Sequence, residues 1–114
     1  METADKHFIV MEYFGDSVDL FQFIDDHPQM EEPLARIIFK QLAEAIAYCH
    51  HNKITHRDIK EENVLINKDL RLRLIDFGSA TFLENADDEF KLFFGTLEYA
   101  SPEVLSGKPP PACI

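Results

Sequence analysis

Apolar residues along the chain fall into blocks separated by polar or proline-containing breaks, and the blocks differ in period. Phe8-Ile9-Val10-Met11 is a continuous apolar run that predicts a buried strand. Glu12-Tyr13-Phe14-Gly15-Asp16-Ser17 then reads as an exposed connector with a turn at its glycine. From Val18 to Ile24 the apolar positions Val18, Leu20, Phe21, Phe23 and Ile24 are too dense for a surface helix. They predict a short, largely buried one, stopped by Asp25-Asp26-His27-Pro28. The strongest period is helical, from Pro33 to about His51. Leu34, Ile37, Ile38, Leu42, Ala45, Ile46 and Cys49 make one stripe, and Glu31-Glu32-Pro33 supplies an acidic, proline-first start.

The period then changes from helical to alternating. Val64-Leu65-Ile66 and Leu70-Arg71-Leu72-Arg73-Leu74-Ile75 predict two short strands joined by the polar turn Asn67-Lys68-Asp69, with the arginines on a solvated face. Residues 79–94 show no sustained period and mix acids with phenylalanines, the pattern of a long functional loop. Gly107-Lys108-Pro109-Pro110-Pro111 cannot continue a helix, so ordered structure is expected to stop near Leu105.

Composition narrows the class. At 114 residues, 46% hydrophobic and 28% charged, the chain reads as one globular domain. Two cysteines, Cys49 and Cys113, and no apolar leader favour a reducing, intracellular setting, cytoplasmic with the nucleus open. No apolar run approaches the roughly 20 residues that cross a bilayer, so no membrane partner is expected. The net charge of −10 opposes nucleic-acid phosphate and leaves two readings open, a basic peptide partner or simple solubility. Cys49-His50-His51 contains metal-ligand types, but consecutive helical positions point in different directions and no second pair stands at zinc spacing.

The candidate chemistry stands at the two ends of the predicted hairpin. His56-Arg57-Asp58-Ile59-Lys60-Glu61-Glu62-Asn63 precedes its first strand, and Asp76-Phe77-Gly78 follows its second. A short antiparallel hairpin puts Asn63 and Asp76 at the same end, with Asp58 and Lys60 just upstream. Phosphoryl transfer needs metal ions over the phosphates, a carboxylate to orient the attacking hydroxyl and a cation for developing charge. Asp76 and Asn63 offer the oxygen ligands magnesium prefers, Asp58 offers the carboxylate and Lys60 the cation. Asp-Phe-Gly alone is a common turn tripeptide. His-Arg-Asp with Lys two and Asn five residues beyond the aspartate, followed by a hairpin and Asp-Phe-Gly, is a far more specific set.

On these motifs the chain resembles the eukaryotic-type serine/threonine protein kinases over roughly residues 7 to 107. Within them it is most similar to the PAS-domain-regulated kinases, then to PIM-type kinases. The residues that carry this are Asp19-Leu20-Phe21-Gln22-Phe23-Ile24-Asp25-Asp26-His27-Pro28, Glu32-Pro33-Leu34-Ala35, Leu74-Ile75-Asp76-Phe77-Gly78-Ser79-Ala80 and Gly95-Thr96-Leu97-Glu98-Tyr99. The resemblance implies an α+β, protein-kinase-like but partial fold. Residues 7–15 would be the hinge strand and linker, and 16–105 the first half of the mainly helical C-terminal lobe with its small catalytic β-hairpin. Residues 106–114 would be a Pro-rich tail.

The resemblance also implies roles. Asp58, Lys60, Asn63, Arg57 and Thr96 would be catalytic, with Asn63 and Asp76 on magnesium. Met11 as gatekeeper, Glu12 and Phe14 through their backbone, Asp19 near the ribose, Leu65 under the adenine and Asp76 would serve ATP. Met11 and Leu65 are also expected to be core residues in any fold. Glu62, Leu97 and Glu98 would face a protein substrate, and Glu62 matches an acid that meets arginine upstream of the acceptor. Arg57 implies a phosphate on the loop, yet Leu92 stands where such kinases often carry the threonine, so no conventional phosphoswitch is expected. Asp87, Asp88 and Glu89 either supply fixed negative charge to Arg57 or form a solvated loop. Phe90, Phe93 and Phe94 would pack that segment or line the substrate groove.

Upstream of Phe8 there is no glycine-rich loop, no Val-Ala-Ile-Lys strand and no helix glutamate to pair with that lysine. Downstream of Ser101-Pro102-Glu103 the family's closing partners do not follow. The chain by itself is therefore expected to bind magnesium-ATP poorly. Two functions follow: a serine/threonine kinase catalytic segment, or an inactive chain acting as a binding or decoy module. A small-molecule phosphotransferase fits less well, because Gly95-Thr96 and Pro102-Glu103 belong to a peptide-binding segment.

Overall fold

The computed structural model describes residues 2–3, 6–83 and 95–107, with side chains from residue 8 onward. Among these residues it shows an α+β arrangement of three small antiparallel sheets and three α-helices. Strands β1 (Glu2–Thr3) and β2 (Lys6–His7) pair with each other. Residues 8–16 then run without regular structure.

This corrects the buried strand expected at Phe8-Ile9-Val10-Met11. Phe8 is 50% exposed, Ile9 83%, Val10 86% and Met11 75%. The run has the composition of a strand, but a strand exists only where a neighbour takes its N–H and C=O groups. No described segment pairs with it.

Strand β3 (Ser17–Asp19) leads directly into helix α1 (Leu20–Asp26). The helix starts later than its apolar run because Val18 and Asp19 are taken by β3, which pairs antiparallel with residues 65–67. Asp19 is the N-cap, its Oδ1 accepting from Gln22 N at 2.7 Å. Only Leu20 and Phe23 of α1 are buried, while Phe21 and Ile24 are half exposed, so the dense apolar stretch is less enclosed than its composition implies. After Pro28 the chain turns into helix α2 (Glu32–His51), which carries Pro33 in its first turn, where a missing N–H costs nothing. Ile38 and Cys49 are its buried residues, and Ile37 is half exposed.

Strand β4 (Ile54–Thr55) follows α2, then β5 (Val64–Asn67) and β6 (Leu72–Leu74) form the predicted hairpin. Its turn is built by Asn67, whose Oδ1 accepts from Asp69 N at 3.1 Å and Arg71 N at 2.9 Å, while Leu70 takes the left-handed φ of 56°. Val64↔Leu74 and Ile66↔Leu72 are paired on the inner face, and Leu65↔Arg73 on the other. Strand β7 (Thr81–Phe82) pairs with β4, and helix α3 (Pro102–Leu105) is the last described element.

The core is the contact of the β5–β6 inner face with α1 and α2: Leu20, Phe23, Ile38, Val64, Ile66 and Leu72, with Leu34, Leu42 and Leu74 packed against it. Gln41 of α2 fastens the hairpin. Its Nε2 donates to Leu70 O at 2.7 Å and its Oε1 accepts from Leu72 N at 3.2 Å, so β6 hangs from the long helix by both amide atoms. Ile66 is 1% exposed at the centre of this contact. Ile66→Ala should lower unfolding stability by about 2–4 kcal/mol in chemical denaturation, against under about 0.5 kcal/mol for solvent-facing Arg71→Ala.

Candidate active site

The hairpin delivers both loops to one place. Ile75 N donates to Asn63 O at 2.9 Å, extending the β5–β6 ladder past its strands and holding Asp76 beside the end of the catalytic loop. His56, 3% exposed, ties the same two loops from beneath. Its Nε2 donates to Ile75 O at 2.9 Å and its Nδ1 accepts from Asp58 N at 3.3 Å, a pair of bonds that requires the neutral ring with its proton on Nε2. Phe77 rests edge-on against the ring at 4.7 Å.

Asp58 is the hub. Its Oδ1 accepts from Thr96 Oγ1 at 2.8 Å, and its Oδ2 accepts from Asn63 Nδ2 at 3.0 Å and faces Lys60 Nζ at 3.3 Å. Lys60 Nζ also donates to Thr96 Oγ1 at 2.8 Å, closing a ring of hydrogen bonds. Burial by itself raises the Asp58 pKa, but the bonds from Thr96, Lys60 and Asn63 and the charge of Lys60 outweigh it and hold the carboxyl below its ordinary 3.8. A carboxylate has about four lone-pair sites. Three are filled, which leaves one on Oδ1 for an incoming hydroxyl.

The approach of residues 95–96 to the catalytic loop depends on Gly95. A Cβ there would stand 2.4 Å from Arg57 O, and its φ of +127° is a conformation glycine tolerates. Arg57, itself at φ 67°, donates from Nε to Ser79 O at 2.5 Å, joining the catalytic loop to the start of the loop after Asp76. The contacts expected between Arg57 and Asp87, Asp88 or Glu89, and those of Leu92, Phe90, Phe93 and Phe94, lie outside the described residues, as do Cys113 and the Pro-rich tail.

Asp76 takes a left-handed φ of 57°, and its Oδ1 accepts from Gly78 N at 3.1 Å. Of the residues expected around a nucleotide, Asp19 and Leu65 are cross-strand neighbours on the sheet face away from the core, and Arg73 pairs with Leu65 from the other side. Arg73 reaches from that face to Glu12 at 3.7 Å and lies 5.0 Å over the ring of Phe14. Met11, expected in the core, is exposed, and Leu65 is half-buried on the outer face: both lack the covering layer that core status requires. Glu62, Leu97 and Glu98 are exposed. Spacing gave no signal for two contacts here, Arg73 to the 12–14 segment and Tyr99 to Glu61, because they join residues about 38 to 61 positions apart.

The protein kinase domain model matches residues 1–111. The chain belongs to the protein kinase family. It is 54% identical over 108 residues to the PAS domain-containing serine/threonine-protein kinase of Mus musculus, covering 95% of this chain and 8% of that protein. It is 40% identical over 110 residues to the SNF1-related protein kinase catalytic subunit alpha KIN12 of Arabidopsis thaliana, covering 96% of this chain and 22% of that one. The carbon catabolite-derepressing protein kinase of Saccharomyces cerevisiae is 39% identical over 109 residues, 95% of this chain and 17% of the relative. The chain thus spans under a quarter of the length of each, as a portion of a serine/threonine kinase catalytic domain.

The family generally uses ATP and magnesium, and the donor set fits the metal. Both hydrogens of the Asn63 amide go to Asp58, to its O at 2.8 Å and its Oδ2 at 3.0 Å, which leaves Asn63 Oδ1 as a free-acting oxygen donor. Asp76 Oδ2 would be a second hard oxygen, and both are of the kind magnesium takes. No helix among the described residues is long and apolar enough to cross a membrane.

The Asp58 shift has a definite sign. Ionised Asp58 contributes stability above pH 3.8, and that contribution is lost as pH falls through its lower folded-state value. Thr96→Val should therefore cost about 1 kcal/mol at pH 7, and the gap to wild type should be smaller in acid, below pH 3.8, in urea denaturation. A gap of equal size at both pH values would contradict the assignment.

Proposed function

We propose that this segment supplies the catalytic and metal-binding loops of a serine/threonine protein kinase that transfers the γ-phosphate of ATP to protein substrates, at sites in a basic sequence context. The observation that carries the reading is the Asp58 carboxylate, oriented by Thr96, Asn63 and Lys60 with one lone pair left over. A carboxylate held below its ordinary pKa is a weak base, so its task is to orient the acceptor hydroxyl towards the phosphorus and to take the proton late in transfer. Lys60, shared between Asp58 and Thr96, would stand beside the attacking hydroxyl and offset negative charge on the transferred group. Asn63 and Asp76 would hold magnesium, which neutralises phosphate charge when bound. The outer sheet face of Leu65, with Asp19 beside it, would lie under the nucleotide base and ribose.

Basic context is supported by exposed Glu62 next to the hub and by the net charge of −10. A second reading, a catalytically silent module that binds or decoys other proteins, is favoured by the exposed apolar run from Phe8 to Met11. Transfer of labelled phosphate by the full-length protein separates the two. Asp58→Asn should lower kcat by about 10²-fold or more, and Glu62→Gln should raise KM for an arginine-containing serine peptide with little change for a neutral one. An Asp58→Asn protein as active as wild type would sink the kinase reading.

No conventional phosphate switch governs this segment, because Leu92 occupies the expected threonine position. Phosphatase treatment of the full-length protein should leave its kcat unchanged within about twofold, whereas a phosphate clamped by Arg57 would make it fall by far more.

A further inference from the structure

Two turns face each other across the site. One is the 3-10 turn Glu61–Asn63 at the end of the catalytic loop, and the other is the 3-10 turn Leu97–Tyr99. They are tied twice. Lys60 and Asp58 hold Thr96, and the hydroxyl of Tyr99 donates to Glu61 Oε2. The ties involve neighbouring residues on one side, 60 and 61, and bracket Leu97 and Glu98 on the other. Leu97 is 62% exposed and Glu98 is exposed, so the stretch between the ties faces outward with both its ends pinned.

A single tie at Thr96 fixes a point and leaves the turn free to pivot about it. A second tie, three residues on, fixes the direction in which residues 97 and 98 face. We propose that Glu61 and Tyr99 form a positioning latch that sets the orientation of the peptide-facing turn at residues 97–99, so that their hydrogen bond governs substrate-peptide affinity more than the transfer step. The inference rests on the kinase reading above.

The chemistry of the latch supports this use. The bond to Glu61, then burial, then the charges of Glu61, Glu62 and Glu98 push the Tyr99 phenol up to about 12, while the same bond lowers the Glu61 carboxyl. Tyr99 therefore stays a donor and Glu61 an acceptor across the neutral range. The phenol's contribution is complete below its ordinary pKa of 10 and is lost only as pH rises through about 12. An ionised acceptor makes this a charge-assisted bond, stronger than one between neutral groups. It also occupies one Glu61 oxygen, leaving its neighbour Glu62 as the open carboxylate for a substrate arginine.

The test compares Tyr99→Phe, Glu61→Ala, Glu61→Gln and the Tyr99→Phe/Glu61→Ala double variant in the full-length protein. The probe is a serine peptide with arginines two and three residues before the serine. Tyr99→Phe and Glu61→Ala should each raise the peptide KM about fivefold, with kcat and the KM for ATP within about twofold of wild type. The double variant should be no worse than the worse single one, and Glu61→Gln, which keeps a neutral acceptor, should fall in between. An unchanged or lowered peptide KM in Tyr99→Phe overturns the latch, as do additive effects in the double variant. If wild-type protein transfers no phosphate, the kinase reading fails on that control, and the latch is judged by hydrogen exchange instead. Faster exchange of residues 95–101 in both single variants, with α2 unchanged, supports it; exchange equal to wild type overturns it.

Discussion

The bond from Ile75 N to Asn63 O closes the hairpin at the end where the chemistry stands. It is one rung beyond the β5–β6 ladder, and the placing of Asp76 beside the loop that ends at Asn63 follows from it. It places the residue after Ile75, Asp76, beside Asn63, and His56 reinforces it by donating to Ile75 O. Antiparallel pairing brings together residues thirteen positions apart without any long-range loop closure, so the site is assembled mainly by local structure. Core packing then holds the rung in place: Val64 and Ile66 are buried against α1 and α2, and Gln41 grips the other strand.

On that base Asp58 acts through its hydrogen bonds. Taking up three donors keeps it ionised and restricts its rotamer, and the price in desolvation is offset by those same bonds. Thr96 comes from 38 residues away and can reach Asp58 only because Gly95 lets the backbone pass close to Arg57 O. The segment at Gly95-Thr96 and the Asp58 carboxylate are thus one mechanical unit. Membership in the protein kinase family and the geometry of these four residues point to the same chemistry.

The sequence pattern was most informative where a short-range rule applied. Helix α2 was visible from its 3.6-residue stripe and proline start, the hairpin from its alternation and polar turn, and Asp58, Lys60, Asn63 and Asp76 from motif spacing within one supersecondary unit. It was least informative where a partner decides the outcome. Phe8 to Met11 has strand composition but no described strand beside it, so it is exposed. Val18 and Asp19 read as the start of the helix, but pairing with β5 makes them strand. Met11 and Leu65 were expected inside because they are apolar, but burial belongs to a layer covering them and not to the side chain.

By itself, then, the sequence determined the family, the hairpin and which candidate residues stand at its two ends, because these depend on order and spacing along the chain. Tertiary structure alone decided that Thr96 reaches Asp58, that His56 Nε2 donates to Ile75 O, that Arg73 lies over Phe14, and that Tyr99 meets Glu61. Each of these joins groups that no period or spacing relates, and a hydrogen bond forms only when donor and acceptor come within about 3 Å of each other.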